Sequence, residues 1–302
     1  MVNLRKRFDK GVTLVELLVA ITISAIVIVM AINIYISTKK IYQKTKSKTE
    51  LDVKELTTKK ILYDAVIDAG FSCKYGAKNQ VYTNKTGENP LNFNFMYDSS
   101  PVRVGKISDI APFLTDSLGF ETKGSVYQVN TDYIMVKNED VFTELSSRPI
   151  NLSLYLDSVD QLDKGDYLAL CNNDDVNIVK IDSVSDRKVE LNIAPSSEYH
   201  KNDYAGKYSI QIFYIAANQS KENPENVNYS LFMYTKSGSH KGVTYPVIDG
   251  VSDLKISYSI LNRKNLSWRD ITRNTDLDDI EAKAIKVSFK LKGKLFEKVI
   301  LL

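Results

Sequence analysis

The chain has 302 residues, of which 43% are hydrophobic and 25% are charged, which is enough apolar material for a sizeable core. Its 40 basic and 37 acidic residues leave a net charge of +3, a balance too even to indicate binding to nucleic acid across the whole surface. The 18 tyrosines and the segments rich in Val, Ile and Thr favour a β-rich domain. The two cysteines exclude a framework of several disulfides and leave room for one bridge.

The first ten residues are mainly basic and polar, and a long apolar run follows them. Residues 12–36 contain a single charged side chain, that of Glu16. A helix rises about 1.5 Å per residue, so this run is long enough to span a hydrocarbon layer roughly 30 Å thick. The basic leader predicts that the N-terminus stays in the cytoplasm and that the rest of the chain faces outward.

Two simpler interpretations of this segment fit less well. An ordinary signal peptide has a shorter apolar region that ends in small residues of the Ala-x-Ala kind. A plain single-span anchor fits the length but leaves Glu16 unexplained, because a carboxylate within a spanning helix costs about 2.5–3.5 kcal/mol on insertion scales. The position of Glu16 therefore points to a function.

The run GVTLVELLVAITISAIVIVMA, which begins at Gly11, resembles the class III signal of type IV pilins and of type II secretion pseudopilins. The resemblance implies that a prepilin peptidase cuts between Gly11 and Val12 and that the apolar helix stays on the mature protein. It also implies N-methylation of Val12, which stands where the family most often has phenylalanine. The helix-kinking proline that the family often has is absent, and Asn33 stands at that place.

The resemblance assigns Glu16 to subunit assembly. Cleavage creates a positive α-amino group on Val12, and the carboxylate of Glu16 on a neighbouring subunit is expected to neutralise it. An ion pair buried together costs far less than either charge buried alone.

The helix is expected to continue beyond the apolar run. Residues 39–69 lack Pro and Gly and show the apolar spacing of an amphipathic helix, which Gly70 is expected to cap. The predicted head-facing positions are Thr58, Ile61, Leu62, Ala65, Val66 and Ala69. The predicted organisation is a leader over 1–11, a hydrophobic helix over 12–36, an amphipathic helix half over 37–69 and a globular head over 70–302.

The head is predicted to be β-rich. Short alternating or β-branched segments predict strands, and one segment, 107–118, favours a short helix. The segments that predict strands are Ser125–Val136, Asp166–Leu170, Val176–Val184, Lys207–Ile215, Leu254–Ile260 and a hairpin within 286–302 that turns at Lys292-Gly293-Lys294. The fold class is therefore α+β, the type IV pilin fold, in which a helix over about 12–69 packs on an antiparallel sheet. A head this large is expected to contain an inserted subdomain, around residues 75–150.

Four short segments of the head, in this order, resemble the large minor pilins of the PilW type: Ala69–Cys73, Gly165–Cys171, Ser230–Tyr234 and Val247–Tyr258. The resemblance implies a low-copy subunit. Its expected partners are prepilin peptidase, other major and minor pilins, the cytoplasmic membrane and the pilus assembly platform. Cys73 and Cys171 occupy corresponding places in this pattern, and the preferred interpretation is a disulfide. Two unpaired core thiols are the alternative.

The head shows no catalytic constellation, so an enzyme is not expected, and neither a metal nor another cofactor is predicted. His200 and His240 sit in polar segments without a zinc or nucleophile motif. Residues 172–175 and 276–279 carry oxygen ligands suited to calcium, but acidic turns are the commoner cause of such clusters. Trp268 beside Arg269 fits either an adhesive surface spot or a core position.

The expected function is that of a minor pilin in the priming or tip complex of a type IV pilus. Before assembly it would be a single-pass cytoplasmic membrane protein with an exterior head, and after assembly a part of the cell-surface pilus. The alternatives are a minor pseudopilin of a type II secretion or competence (DNA uptake) system, or a tip adhesin. Nucleic acid is not expected as a partner, because the net charge is close to neutral.

Overall fold

The computed structural model describes residues 13–70, 81–88, 100–114, 127–173, 175–218, 228–239, 242–262, 265–277 and 280–302. Two helices and fifteen strands occur in these ranges. In chain order they are α1 Leu14–Ile67, β1 Val81–Lys85, β2 Val102–Lys106, α2 Ile107–Leu114, β3 Asp132–Glu144, β4 Ser153–Tyr155, β5 Tyr167–Cys171, β6 Asp175–Ser185, β7 Lys188–Leu191, β8 Tyr204–Asn218, β9 Asn228–Lys236, β10 Val243–Asp249, β11 Val251–Asn262, β12 Asn265–Asp270, β13 Thr275–Asp276, β14 Ala284–Leu291 and β15 Lys294–Leu301. A long N-terminal helix followed by a β-rich head is consistent with the predicted α+β class.

The chain forms two compact units, one that ends at Val53 and one that begins at Lys54, so the boundary falls within α1. In the second unit, α1 buries one face. Thr58, Leu62 and Val66, which recur every four residues, are all buried. This is the periodicity that the sequence predicts for the head-facing side.

The end of α1 lies against the smaller of two sheets, whose strand order is β12-β11-β14-β15. The Nζ atom of Lys59 lies 5.7 Å from the ring centre of Phe296, and that of Lys298 lies 5.1 Å from the ring centre of Tyr63. The inward side chains of β14 alternate with half-buried ones, so a single apolar face meets the helix. This helix-on-sheet layer is the predicted α+β arrangement.

The larger sheet has eleven strands and pairs antiparallel throughout, except where β1 runs parallel to β6. Six of its strands also close into a ring, because Leu145, just after β3, pairs with Leu156, just after β4. β5 is buried on both faces, since one face meets the apolar residues of the ring and the other meets a Tyr-rich core. A strand buried on both faces needs the continuous apolar run that residues 167–171 have.

Several predicted boundaries differ from those of the structure. The strand expected over 125–136 begins at Asp132 instead, because Asn130 adopts a left-handed φ of 60° and forms a turn. It then continues to Glu144 through a bulge between Glu139 and Phe142, where its polar residues hid the strand pattern. The predicted insertion around 75–150 stays a prediction, and the described strands of that range belong to the larger sheet.

Both glycines that the sequence predicts at a helix end or a turn have a positive φ. Gly293 has a φ of 79° and follows Lys292 with a φ of 48°, so the β14–β15 hairpin turns where the sequence predicts it. Gly70 has a positive φ of 107°, and its N–H donates to the carbonyl of Lys137 at 2.9 Å. Gly70 therefore has the positive φ expected of a glycine that follows a helix, and its N–H connects the end of α1 to β3.

Candidate functional site

Of the two cysteines in the predicted disulfide, the structure describes Cys171. Cys171 closes β5, is buried and is not a free thiol. Cys73 lies outside the described residues. The pairing of Cys73 with Cys171 therefore stays a prediction.

The calcium candidate at residues 172–175 forms a tight turn in its described part. The N–H of Asp175 donates to the side-chain oxygen of Asn172 at 2.7 Å, and the N–H of Asn172 donates to the carbonyl of Asp175 at 3.1 Å. Asp174 lies outside the described residues, as do Asp278 and Asp279 of the second candidate. Among the residues that the structure describes, no group of three or more His, Cys, Asp or Glu side chains is placed to hold a metal ion.

The described histidine belongs to a surface loop. His200 is exposed, and its backbone N–H donates to the carboxylate of Asp203 at 2.7 Å. His240 lies outside the described residues. The hydrogen bond orders the loop that leads into β8 and leaves the imidazole in solvent.

Trp268 lies on the surface rather than in the core. It is 42% exposed on β12, and the Nζ atom of Lys286 lies 5.4 Å from the ring centre. Leu266, two residues earlier on the same face of the strand, is also exposed. Of the two interpretations that the sequence allows for this residue, the structure shows the exposed one.

A half-buried cluster of charges that the sequence did not indicate surrounds Glu88. Its carboxylate accepts a hydrogen bond from the hydroxyl of Tyr167 at 2.6 Å and another from the ammonium of Lys180. Burial alone would raise the pKa of Glu88, but these hydrogen bonds and the charges of Lys180 and Lys236 hold it below its ordinary value. Burial lowers the pKa of Lys236, and Glu88 opposes that effect.

Glu88 therefore acts as an ionic anchor between the segment after β1 and the sheet. Its partners lie far from it in sequence, on β5, β6 and β9, so no local spacing in the sequence could have indicated the cluster. In this arrangement the positive charges of Lys180 and Lys236 offset the negative charge of Glu88.

At the N-terminal end, Thr13 and Glu16 form a reciprocal pair of contacts. The backbone N–H and the hydroxyl of Thr13 both donate to Oε2 of Glu16, at 2.9 and 3.0 Å. The N–H of Glu16 donates in return to Oγ1 of Thr13 at 3.3 Å. This is a capping box, and Thr-x-x-Glu is the spacing by which it could have been found in the sequence.

The capping box changes the interpretation of Glu16. The sequence suggests that its carboxylate finds a partner only after cleavage, whereas the structure gives it two donors within its own chain. Thr13 is the residue that the sequence reasoning missed. Gly11 and Val12 lie outside the described residues, so cleavage between them and methylation of Val12 stay predictions.

The rest of the apolar run has no contacts that shield it. Every side chain from Thr13 to Glu50 is exposed, including Leu14, Ile26 and Met30. A surface of this size and apolarity is unfavourable in water and marks a site of interaction with a membrane or another protein. By its length and composition, α1 is able to cross a membrane.

Residues 6–32 match the model of the prokaryotic N-terminal methylation motif. The motif supports a type IV pilin-like protein. Comparison with curated proteins and with solved structures gives no match for the chain.

The pilin-type motif lies on the leader and the apolar start of α1, the same residues that the sequence reasoning singled out. A class III prepilin signal implies processing by a prepilin peptidase and a context of pilin assembly. The single apolar helix near the N-terminus fits a membrane-anchored pilin. The matched segment ends well before the head, so the motif carries no information about what the head does.

Proposed function

We propose that the chain is a minor pilin of a type IV pilus, cleaved after Gly11 by a prepilin peptidase, and a member of the priming or tip complex that initiates assembly. The observation that carries the minor role is the size of the head. A four-stranded sheet is enough to pack against the end of α1, yet the head also contains an eleven-stranded sheet. A bulky head packs poorly between the closely spaced subunits of a shaft.

The order of short segments that resembles PilW-type minor pilins supports the same role. So does the exposed apolar half of α1, which offers other pilins a surface for lateral packing once the subunit leaves the membrane. Minor and major pilins, the cytoplasmic membrane and the assembly platform are the partners that this function requires.

Deleting the gene tests the proposal. We expect markedly fewer pili, visible by electron microscopy and in sheared-pilus preparations, with restoration by the wild-type gene. Unchanged piliation would contradict a priming role. Unchanged piliation with lost adhesion would favour a tip adhesin, for which the exposed Trp268 is the supporting observation.

Replacing Gly11 with leucine tests the cleavage itself. A branched side chain at this position should block the approach of the peptidase to the backbone, so the full-length precursor should accumulate in the membrane. Normal removal of the leader from this variant would contradict the assignment of the cleavage site.

A further inference from the structure

The first turn of α1 has a sharply defined beginning. The first hydrogen bond of the helical ladder runs from the N–H of Leu17 to the carbonyl of Thr13, at 3.2 Å. Thr13 is therefore the N-cap residue, and Leu14 is the first residue of the helix. The capping box with Glu16 then satisfies a backbone donor at each end of this turn.

These contacts matter more here than at the surface of a soluble protein. The first N–H groups of any helix lack partners within it, and near hydrocarbon there is little water to supply them. The Thr13 hydroxyl accepts from the N–H of Glu16, and Oε2 of Glu16 accepts from the N–H of Thr13. The box thus stabilises a helix that starts at Leu14 over one that starts earlier or later.

The start of α1 at Leu14 lies close to the predicted cleavage site in the sequence. In sequence, Val12 directly precedes the N-cap and Gly11 precedes Val12. An N-cap residue has extended rather than helical backbone angles, so the chain leaves the helix at Thr13. The residue before an N-cap often packs on the fourth helical residue and sets the entry angle of the chain, and here these two positions are the apolar Val12 and Leu17.

We propose that Thr13 is a positioning residue for leader removal, because it makes α1 start at Leu14 and so leaves two residues between the helix and the bond that joins Gly11 to Val12. The inference rests on the proposed function, in which a prepilin peptidase cuts that bond. A peptidase needs its target bond in an open backbone that it can bind from both sides. Residues within a helix are closed off by their own hydrogen bonds.

Loss of the Thr13 hydroxyl removes the group that fixes where the helix begins. The unpaired N–H of Glu16 can then be satisfied by adding helical residues in front, which brings Val12 and Gly11 into the first turn. An N-cap is worth about 1 kcal/mol, which corresponds to about a fivefold change in the ratio of the open form to the form with the extended helix. Cleavage should slow by up to that factor, because the peptidase acts on the open form.

The experiment follows leader removal from the full-length precursor in membranes, with its prepilin peptidase, by gel shift and mass spectrometry of the new N-terminus. Thr13→Val keeps the shape of the side chain but lacks the hydroxyl, so its initial rate should fall, by up to about fivefold. Thr13→Ser and Thr13→Asn both restore a capping oxygen and should recover most of the rate. Hydrogen exchange at residues 14–17 should follow the same order of variants.

The outcomes distinguish the positioning role of Thr13 from the proposed cleavage after Gly11. Wild-type cleavage of Thr13→Val would overturn the positioning role, and so would a slow Thr13→Asn beside a fast Thr13→Ser, because the peptidase would then be recognising the hydroxyl itself. Failure of the wild-type precursor to be cut after Gly11 would instead contradict the proposed function. Slow cleavage of Thr13→Val with recovery in both capping variants would support the inference.

Discussion

Two carboxylates show how single residues acquire roles in this protein. Glu16 sits in an apolar helix and Glu88 in a half-buried cluster, and each is satisfied by donors within hydrogen-bond distance. For Glu16 the donors come from Thr13, three residues away, so the sequence alone contains the pattern. For Glu88 they come from Tyr167 and Lys180, which only the folding of the sheet brings near.

Replacing Glu16 with alanine should separate cleavage from assembly. The variant keeps the bond from the N–H of residue 16 to the Thr13 hydroxyl, so we expect leader removal to continue. Its incorporation into pili should fall at least about a hundredfold, since an unpaired buried amine costs about 3 kcal/mol or more. Immunoblots of sheared pili against membranes measure both steps. Normal incorporation would count against the pairing of Glu16 with the α-amino group of a neighbour.

Replacing Glu88 with glutamine should flatten the acid dependence of stability. Because the pKa of folded Glu88 lies below its ordinary value of 4.5, its stabilisation is present above that value and is lost as the pH falls through the folded pKa. The wild type should therefore lose about 1 kcal/mol more than Glu88→Gln between pH 7 and the acid end of that transition. Thermal unfolding of the full chain in detergent at several pH values measures the difference.

The matched control for this prediction is Glu198→Gln. Glu198 is largely exposed, and its contact with Arg148 at 3.3 Å is a surface ion pair of little energetic weight. Its stability curve should follow that of the wild type at every pH. If the Glu88→Gln curve also runs parallel to the wild-type curve, the anchoring role of Glu88 is wrong.

At the scale of elements, α1 combines two chemically different halves in one continuous helix. Its first half is apolar all round, whereas its second half buries a stripe that includes Thr58, Leu62 and Val66. Local periodicity is enough to predict both halves, because side chains three and four residues apart share one face of a helix. The β14–β15 hairpin is equally local, since the turn at Lys292 and Gly293 determines the register of both strands.

Leu62 and Leu56 offer a matched pair on this helix. Leu62 is 2% exposed and Leu56 is 67% exposed, so the same substitution tests burial alone. Leu62→Ala should lower the free energy of unfolding by about 2–4 kcal/mol, through lost apolar burial and the cavity left behind. Leu56→Ala should change it by less than about 0.5 kcal/mol. Denaturant titration of the full chain in detergent checks both, and equal effects would contradict the assigned head-facing stripe.

At the scale of the head, a small polar junction connects the two sheets. Asp132, at the start of β3, accepts from the N–H of Ile256 on β11 at 2.7 Å and from Lys106 at 2.5 Å. Burial raises the pKa of Asp132 above its ordinary value, although Lys106 and the Ile256 amide oppose this. Close by, Gln128 and Asp253 exchange two hydrogen bonds of 2.8 Å.

Replacing Asp132 should loosen this junction in a graded way. Asp132→Ala leaves the amide of Ile256 without its acceptor, and we expect a loss of about 2–4 kcal/mol in the free energy of unfolding. Asp132→Asn keeps an oxygen that can accept from that amide, and Lys106 can turn toward solvent, so about half of that loss or less is expected. Denaturant titration distinguishes the two variants. An equal loss in both would show that the charge, rather than the hydrogen bond to Ile256, holds the sheets together.

The sequence by itself determined the class III signal, the long helix with its two chemical halves, and seven of the fifteen strands in the described residues. These features depend on residues close together in the chain, whose spacing directly reflects helical and strand geometry. The tertiary structure alone decided the division into two sheets, the closure of six strands into a ring, the anchor around Glu88 and the exposure of Trp268. Each of these depends on contacts between residues far apart in the chain, and no local pattern records which distant strand or side chain a residue will meet.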